Sequence, residues 1–339
     1  MSLILDGPNN TIGAGTVQTD NIKNLAGTKT ISFNGDGSMT INPNIGIDVT
    51  NNFVFTQTDT TTVPPAGKTT AWGRNIAKRG LISVMGQSGM DYPLQPNIWR
   101  QKIGLWTPPG NSTTVPGVVG FNAPTAVGTA TARNVATTNG PNRMRRLGYV
   151  SAATAAALTG QYVTVAQFTV GSGGGTDSSG FFYSCRFIVS DAAAVAGARM
   201  FVGMSSTVAA PTNVEPTTLL NSIGIAQLST DNTQMYIVYG GSAAQAAIPL
   251  GTNFTPLQGT VNAYDLTLFA PPSANGVINY RVEKINTGEF VEGTITPGTV
   301  GVQTPLSTTL LAHRAWRTNN ATLLAVGLDI CNIYIETDY

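Results

Sequence analysis

Apolar and polar residues alternate along most of this chain in two-residue steps. In "TKTISFNGDGSMTINPNIGIDVTNNFVFTQT" the apolar pairs are Ile31 and Phe33, Met39 and Ile41, Ile45 and Ile47, and Phe53 and Phe55. Turn signals separate them, "NGDG" at 34–37 and "NPN" at 42–44. A period of two punctuated by Gly, Asn and Pro predicts short β-strands. Sheets of two or three such strands bury too little apolar surface to stand alone. The pattern therefore predicts either an intertwined, three-fold β-stem or a small β-subdomain packed on a larger body.

From about residue 93 the alternation continues in longer runs. "QYVTVAQFTVG", "GFFYSCRFIVS", "ARMFVGMSS", "SIGIAQLS", "QMYIVYGG", "AYDLTLFAP", "VINYRVEKIN" and "FVEGTIT" follow one another. Their spacing, roughly ten to twenty residues, predicts a β-sandwich or barrel. "KINTGEF" predicts a hairpin turn with Gly288 at positive φ. Helical signals are few: "SAATAAALTG" (151–160), with Ser151 as N-cap and Gly160 beyond the C-terminus, "SDAAAVAGAR", and one turn in "EPTTLLNS". No βαβ rhythm is present, which argues against a doubly wound enzyme fold.

Prolines mark the junctions. Pro64 and Pro65 interrupt "TTTVPPAGKTTAWGRN", and Pro93 and Pro96 hold "MDYPLQPNIW" extended. The expected organisation is all-β: an extended N-terminal anchor (1–27), an oligomeric β-stem and linker (28–92), and a C-terminal β-sandwich of concanavalin-like or jelly-roll type (93–339). The first segment is rich in Gly, Asn and Thr with scattered aliphatics, a pattern that suits docking on another protein. Leu3, Ile4, Leu5, Ile12 and Val17 are its candidate contacts.

The run "LLAVGLDICNIYIETDY" (323–339) reads as a strand in which alternation breaks. Val326, Leu328 and Ile330 share one parity, Ile333 and Ile335 the other. A one-residue slip turns every side chain to the opposite face. A bulge near Cys331-Asn332, or a strand covered on both faces, is expected, lying centrally in the sandwich or sealed at a trimer axis.

Composition narrows the function classes. Of 339 residues only 10% are charged, and the net charge is +1. Typical soluble domains carry about 25% charged residues. Such a neutral, Thr- and Asn-rich surface suits an extracellular β-protein or a subunit flanked by copies of itself. It argues against a nucleic-acid partner, which needs a basic face; "NRMRR" is read as a loop or interface patch. No apolar run approaches the ~18 residues of a membrane helix, so no membrane insertion is expected. The start "MSLILDGPNN" has no secretory pattern. An extracellular character without export fits a particle released by lysis.

Candidate chemistry is sparse. His313 is the one histidine, and no "GxSxG" elbow accompanies it. "GSGGGTDSSG" (171–180) lacks the lysine of a phosphate loop. Glu283, Glu289 and Glu292 lie along one hairpin, with Glu289 and Glu292 on opposite faces of a regular strand. Asp329, Glu336 and Asp338 form a faint calcium-like set without a spaced Asp/Asn loop. Cys185 and Cys331 sit in apolar strands without metal-ligand spacing and read as buried thiols, a disulfide remaining open. No enzyme activity, cofactor or metal is expected. Sugar binding asks less: an aromatic face with amides and guanidinium groups. "HRAWRTNNAT" (313–322) puts Trp316 beside Arg314, Arg317, Asn319 and Asn320 in a turn before the last strand, the best such cluster. The alternative is that Trp316 packs internally while the asparagines hold a turn.

The layout, together with "FYSCRF", "ARMFVGMSS", "LLNSIGIAQ", "MYIVYGG" and above all "WRTNNATLLAVGLDICNIYIETDY", resembles tailed-bacteriophage fibre and receptor-binding proteins. Some of these have a lectin-like C-terminal β-sandwich. The resemblance covers 93–339 well and 1–92 only in style. It implies a homotrimer on the virion, an N-terminus docked on other virion proteins, and a distal sandwich facing a host-surface glycan. A head fibre or tail adaptor, and a polysaccharide depolymerase, are the alternatives.

Overall fold

The structure is a computed structural model that describes residues 21–23, 30–33, 39–41, 64, 68–85, 91–93, 102–173, 179–256 and 259–337. It has two units, Met1–Phe55 and Thr56–Tyr339. In the first, strands β1 (Asn21–Lys23), β2 (Thr30–Phe33) and β3 (Met39–Ile41) form an antiparallel sheet. Ile31 pairs with Ile41 and Phe33 with Met39, so the period-two reading holds at these positions. The pairs at 45–47 and 53–55 lie outside the described residues.

The second unit opens with a smaller sheet of β4 (Thr70–Ile76), β5 (Arg79–Met85) and β6 (Asp91–Pro93). The remaining strands are β7 (Lys102–Thr107), β8 (Gly117–Val119), β9 (Thr125–Val127), β10 (Thr129–Ala132), β11 (Leu147–Val150), β12 (Leu158–Tyr162), β13 (Phe181–Val189) and β14 (Arg199–Ser205). They continue with β15 (Ser222–Leu228), β16 (Asp231–Gly240), β17 (Ile248–Pro249), β18 (Ala263–Ala270), β19 (Ile278–Lys284), β20 (Glu289–Ile295), β21 (Ala312–Thr318) and β22 (Gly327–Thr337). Among the described residues they form a nine-stranded sheet, β10-β11-β22-β13-β18-β19-β20 with β7 and β8 beside β22, and a seven-stranded sheet, β17-β16-β15-β14-β21-β12-β9. The two close over one core that includes Trp106, Tyr183, Phe187, Met200, Ile225, Leu266 and Ile333. This is the expected all-β sandwich.

The chain crosses between sheets at Gly128, which has φ +72° and separates β9 from β10. A Cβ there would sit 2.7 Å from the Val150 carbonyl and 2.9 Å from that of Leu158. Only glycine tolerates both the approach and the dihedral.

Strand β22 is interior. β13 runs along one side; on the other, β11 pairs with its first half and β7 with its second. Arg186 faces Asn332 while Phe187 faces Ile330, so Cys331 is the extra residue of a bulge. The bulge restores Leu328, Ile330, Ile333 and Ile335 to one buried face. Cys331 packs on the other face with Ile188 and Ala263. Cys185 and Cys331 are both free and lie on opposite sides of the sheet.

The helix expectations need correction. The described helices are one turn at Gly140–Arg143 and a 3₁₀ turn at Pro216–Thr218, the latter within "EPTTLLNS". Residues 151–157 are an irregular link, and Gly160 lies inside β12 at φ +136° rather than past a helix. A Cβ on it would strike the Ala315 carbonyl and approach Trp316 Cα at 2.8 Å. Ala156 takes φ +61° and bonds its N–H to Asn320 O. Neighbouring strands override the helical propensity of the alanine run. "SDAAAVAGAR" is likewise loop and turn until β14.

Candidate functional site

The predicted cluster is not all in a turn: Arg314, Trp316 and Arg317 lie in strand β21, and only Asn319 and Asn320 lie in the turn beyond it. Side chains on a strand alternate between faces. Ala315 and Arg317 therefore point into the sandwich, and Arg314 and Trp316 point out from the seven-stranded sheet. Trp316 is 1% exposed and packs on Phe201, ring centres 6.5 Å apart, with Ala226 and Val238. Arg317 is fully buried on Asp191 and Gln227. Asn319 is buried too, its amide donating to the carbonyls of Thr154 and Leu324 at 2.8 Å each. Asn320 is half-buried at φ +52°, and its side-chain oxygen accepts from Asn213 Nδ2 at 3.4 Å. The residues predicted together are thus divided between the two faces of the sheet and the turn beyond it. Leu3, Ile4, Leu5, Ile12 and Val17 lie outside the described residues.

The cavity next to Trp316 is roofed by a segment remote in sequence. Between β14 and β15 the chain makes an excursion, 206–221, across the outer face of the seven-stranded sheet. Its middle is pinned at several points. Arg199 Nε donates to Glu215 Oε2 at 2.8 Å and its Nη1 to Asn213 Oδ1 at 2.9 Å. Thr318 Oγ1 donates to the same Asn213 oxygen at 3.2 Å, and Asn213 in turn holds Asn320. The 3₁₀ turn at Pro216–Thr218 then presents Thr218 and Leu219. The result is a groove of about 400 Å³. Its polar wall is Ser206, Thr207, Thr212, Thr218, Asn221 and Arg314; Val214, Leu219 and Trp316 supply apolar surface. Among the described residues no carboxylate lines it.

Arg314 is 5% exposed. Its Nη1 donates to the carbonyls of Thr207 (3.0 Å) and Ala209 (2.5 Å), and its charge lies 5.9 Å from the centre of the Tyr162 ring. Burial pulls the guanidinium down to about 10, still protonated at neutral pH. Arg314 was legible in one respect: it shares parity with Trp316 in "HRAWRT". The excursion that roofs both is remote in sequence, and its one signal, a turn in "EPTTLLNS", does not point to β21.

A second concavity, about 500 Å³, lies between Leu250–Phe254 and the Gly288–Val291 hairpin. Asn253 Nδ2 donates to Glu289 Oε1 at 3.2 Å, and the Arg281 guanidinium stacks 3.6 Å from the Phe290 ring centre. The hairpin turns at Gly288, φ +73°, as expected. Its carboxylates are in ion pairs, Glu283 and Glu292 with Arg281 (3.3 and 3.6 Å) and Glu289 with Lys284 (3.8 Å). Asp329 is buried between Arg146 and Arg133, and Glu336 pairs with Arg79; Asp338 is outside the described residues. His313 is buried between the sheets, 3.0 Å from Tyr183 Oη and 3.4 Å from Gln161 Nε2, and burial pulls it down to about 3. Among the described residues no group of three or more His, Cys, Asp or Glu is placed to hold a metal, and no helix is long and apolar enough to cross a membrane.

No family model matches the sequence, and no curated protein matches it. Several solved structures are similar in fold. Peanut lectin with a 9mer peptide aligns over 70% of this chain and 97% of its own, at 10% identity and TM-score 0.44. The carbohydrate recognition domain of Emp47p aligns over 68% and 93%, at 9% identity and TM-score 0.43. The CBM2 module of the evolved Dit of Lactobacillus casei BL23 phage J-1 aligns over 72% and 92%, at 14% identity and TM-score 0.39.

Proposed function

We propose that the sandwich is a non-catalytic glycan-binding module of a bacteriophage fibre protein, and that the groove beside Arg314 and Trp316 is its binding site. The groove itself carries the reading. Four hydroxyls, an amide and a guanidinium converge on one space next to apolar surface, without a carboxylate. A sugar presents the complementary surface, hydroxyls around a ring with an apolar face. The 10% charged composition keeps the surrounding surface neutral. Ion pairing of Glu283, Glu289 and Glu292 supports a non-catalytic role over depolymerisation. The test is binding of the purified full chain to host cells and to their extracted surface polysaccharide. Saturable binding that is lost on Thr212→Tyr, an exposed position at the groove, is the expected result. Binding unchanged by Thr212→Tyr would place the ligand elsewhere.

The fibre part of the proposal rests on the resemblance of the motifs quoted above and on the small first sheet. Strands of three or four residues need a partner surface. The proposed assembly is a homotrimer on the virion surface, attached to other virion proteins through 1–27. Light scattering of the full chain checks it, and a monomer at micromolar concentration would refute it. One observation favours a structural role, as a head fibre or tail adaptor. Leu105 (36% exposed) pairs with Val119 (59% exposed) on the nine-stranded sheet, an apolar spot suited to another virion protein. Locating the chain in a virion density map separates the two readings.

A further inference from the structure

We infer that the sugar taken by this groove is an acidic one, held through its carboxylate by Arg314. The inference rests on the glycan reading above and narrows its ligand class. Arg314 Nε is buried and has no hydrogen-bond partner. The two carbonyls on Nη1 carry only partial charge, and the Tyr162 ring is a weak counterpart at 5.9 Å. Other buried arginines of the sandwich are neutralised. Arg146 meets Asp329 at 2.9 Å, Arg281 meets Glu283 at 3.3 Å, and Arg317 meets Asp191 at 2.5 Å. Among the described residues Arg314 has no such carboxylate. The acid of the neighbouring excursion, Glu215, is taken by Arg199 and Ser229.

A buried cation without a counter-ion is costly, and the cost is relieved by whatever anion enters. The guanidinium fork matches a planar carboxylate, which accepts two parallel N–H bonds. Around it the groove offers Ser206, Thr207, Thr212, Thr218 and Asn221, which suit the hydroxyls of the same sugar ring. The geometry therefore selects a uronic acid or another carboxylated sugar over a neutral hexose.

The experiment is a glycan array probed with the full-length protein. Bacterial-surface oligosaccharides are printed in pairs, each as the native uronic-acid form and as its carboxyl-reduced form, with phosphorylated oligosaccharides alongside. The expected result is signal on the acidic members that falls roughly tenfold or more on carboxyl reduction, as for loss of a charge-assisted hydrogen bond. Arg314→Gln should abolish the preference. Because Arg314 is buried and its replacement can disturb folding, Thr212→Glu provides the second variant. Thr212 is exposed at the groove, and a carboxylate there repels an acidic ligand more than a neutral one, so the ratio of acidic to carboxyl-reduced signal should fall whatever the change does to both. Equal signal before and after reduction overturns the inference and leaves the glycan reading standing. Equal or stronger signal on phosphorylated members replaces carboxylate by phosphate and overturns it also. A blank array overturns both.

Discussion

Arg317 and Asp191 form a buried two-point ion pair. Arg317 Nε lies 2.9 and 3.1 Å from the two carboxylate oxygens, and Nη2 lies 2.5 Å from Oδ2. Asp191 also accepts the Gly327 N–H at 2.6 Å, and Arg317 Nη1 donates to Gln227 at 2.5 Å. Four remote segments are thereby joined: β15, β21, the loop after β13 and the start of β22. Asp191→Ala should destabilise the domain by about 3–5 kcal/mol, the range for removing one member of a buried pair. The double change Asp191→Leu with Arg317→Met leaves no orphaned charge and should cost less than Asp191→Ala alone. Chemical denaturation of the three proteins measures both. A near-zero effect of Asp191→Ala would show that the pair is not needed.

That pair also explains what could be read from the sequence and what could not. Trp316 and Arg317 are adjacent, so strand alternation alone predicts opposite faces for them, and a surface cluster of both requires an irregular strand. The alternation in "HRAWRT" instead pairs Arg314 with Trp316, which is what the groove uses. The bulge at Cys331 was legible because parity changes between Ile330 and Ile333. The groove was not, because its roof comes from 206–221, about a hundred residues before β21. The Ala-rich 151–157 link has helical propensity yet is not a helix, because propensity says nothing about the neighbouring Asn320 carbonyl that fixes its path.

His313 should make the domain acid-sensitive. Its ring is neutral between Gln161 and Tyr183: Gln161 accepts from Tyr149 Oη at 2.5 Å and offers its amide to Nε2, leaving Nδ1–H for the Tyr183 oxygen. The folded ring protonates only near about 3, the unfolded one near 6.5. Between these values the unfolded state binds the extra proton, so this contribution is intact above 6.5 and is lost as pH falls towards 3. The slope is at most about 1.4 kcal/mol per pH unit. Denaturant midpoints measured across that window should decline with acid, and His313→Gln should flatten the decline. An unchanged slope in the variant would assign the acid sensitivity to other groups.

The two thiols should be inert in the native protein. Burial pushes Cys185 up to about 12, and it raises Cys331 as well. The reactive thiolate is therefore scarce at neutral pH, and both residues are buried. A thiol reagent such as DTNB should release no colour from native protein and two equivalents per chain in denaturant without reductant. Zero equivalents in denaturant would mean a disulfide. Prompt labelling of the native protein would mean that the strand pairing around Cys331 opens.

Strand β22 makes the last prediction the most severe. Removing residues 332–339 takes Ile333 and Ile335, 0% and 1% exposed, out of the core. It also strips β7 of its partner over Lys102–Trp106 and β13 of its partner over Phe182–Arg186. Both strands then present unpaired backbone next to apolar side chains, a combination that drives aggregation. The point variant Ile335→Val keeps that backbone and should cost only about 0.5–1.5 kcal/mol. The truncated chain should be insoluble or lack a cooperative melt, whereas Ile335→Val should melt cooperatively a few degrees lower. Circular dichroism melts of both resolve it. A soluble truncated protein with a sharp transition would mean that β11, β13 and β18 hold the sheet without the second half of β22.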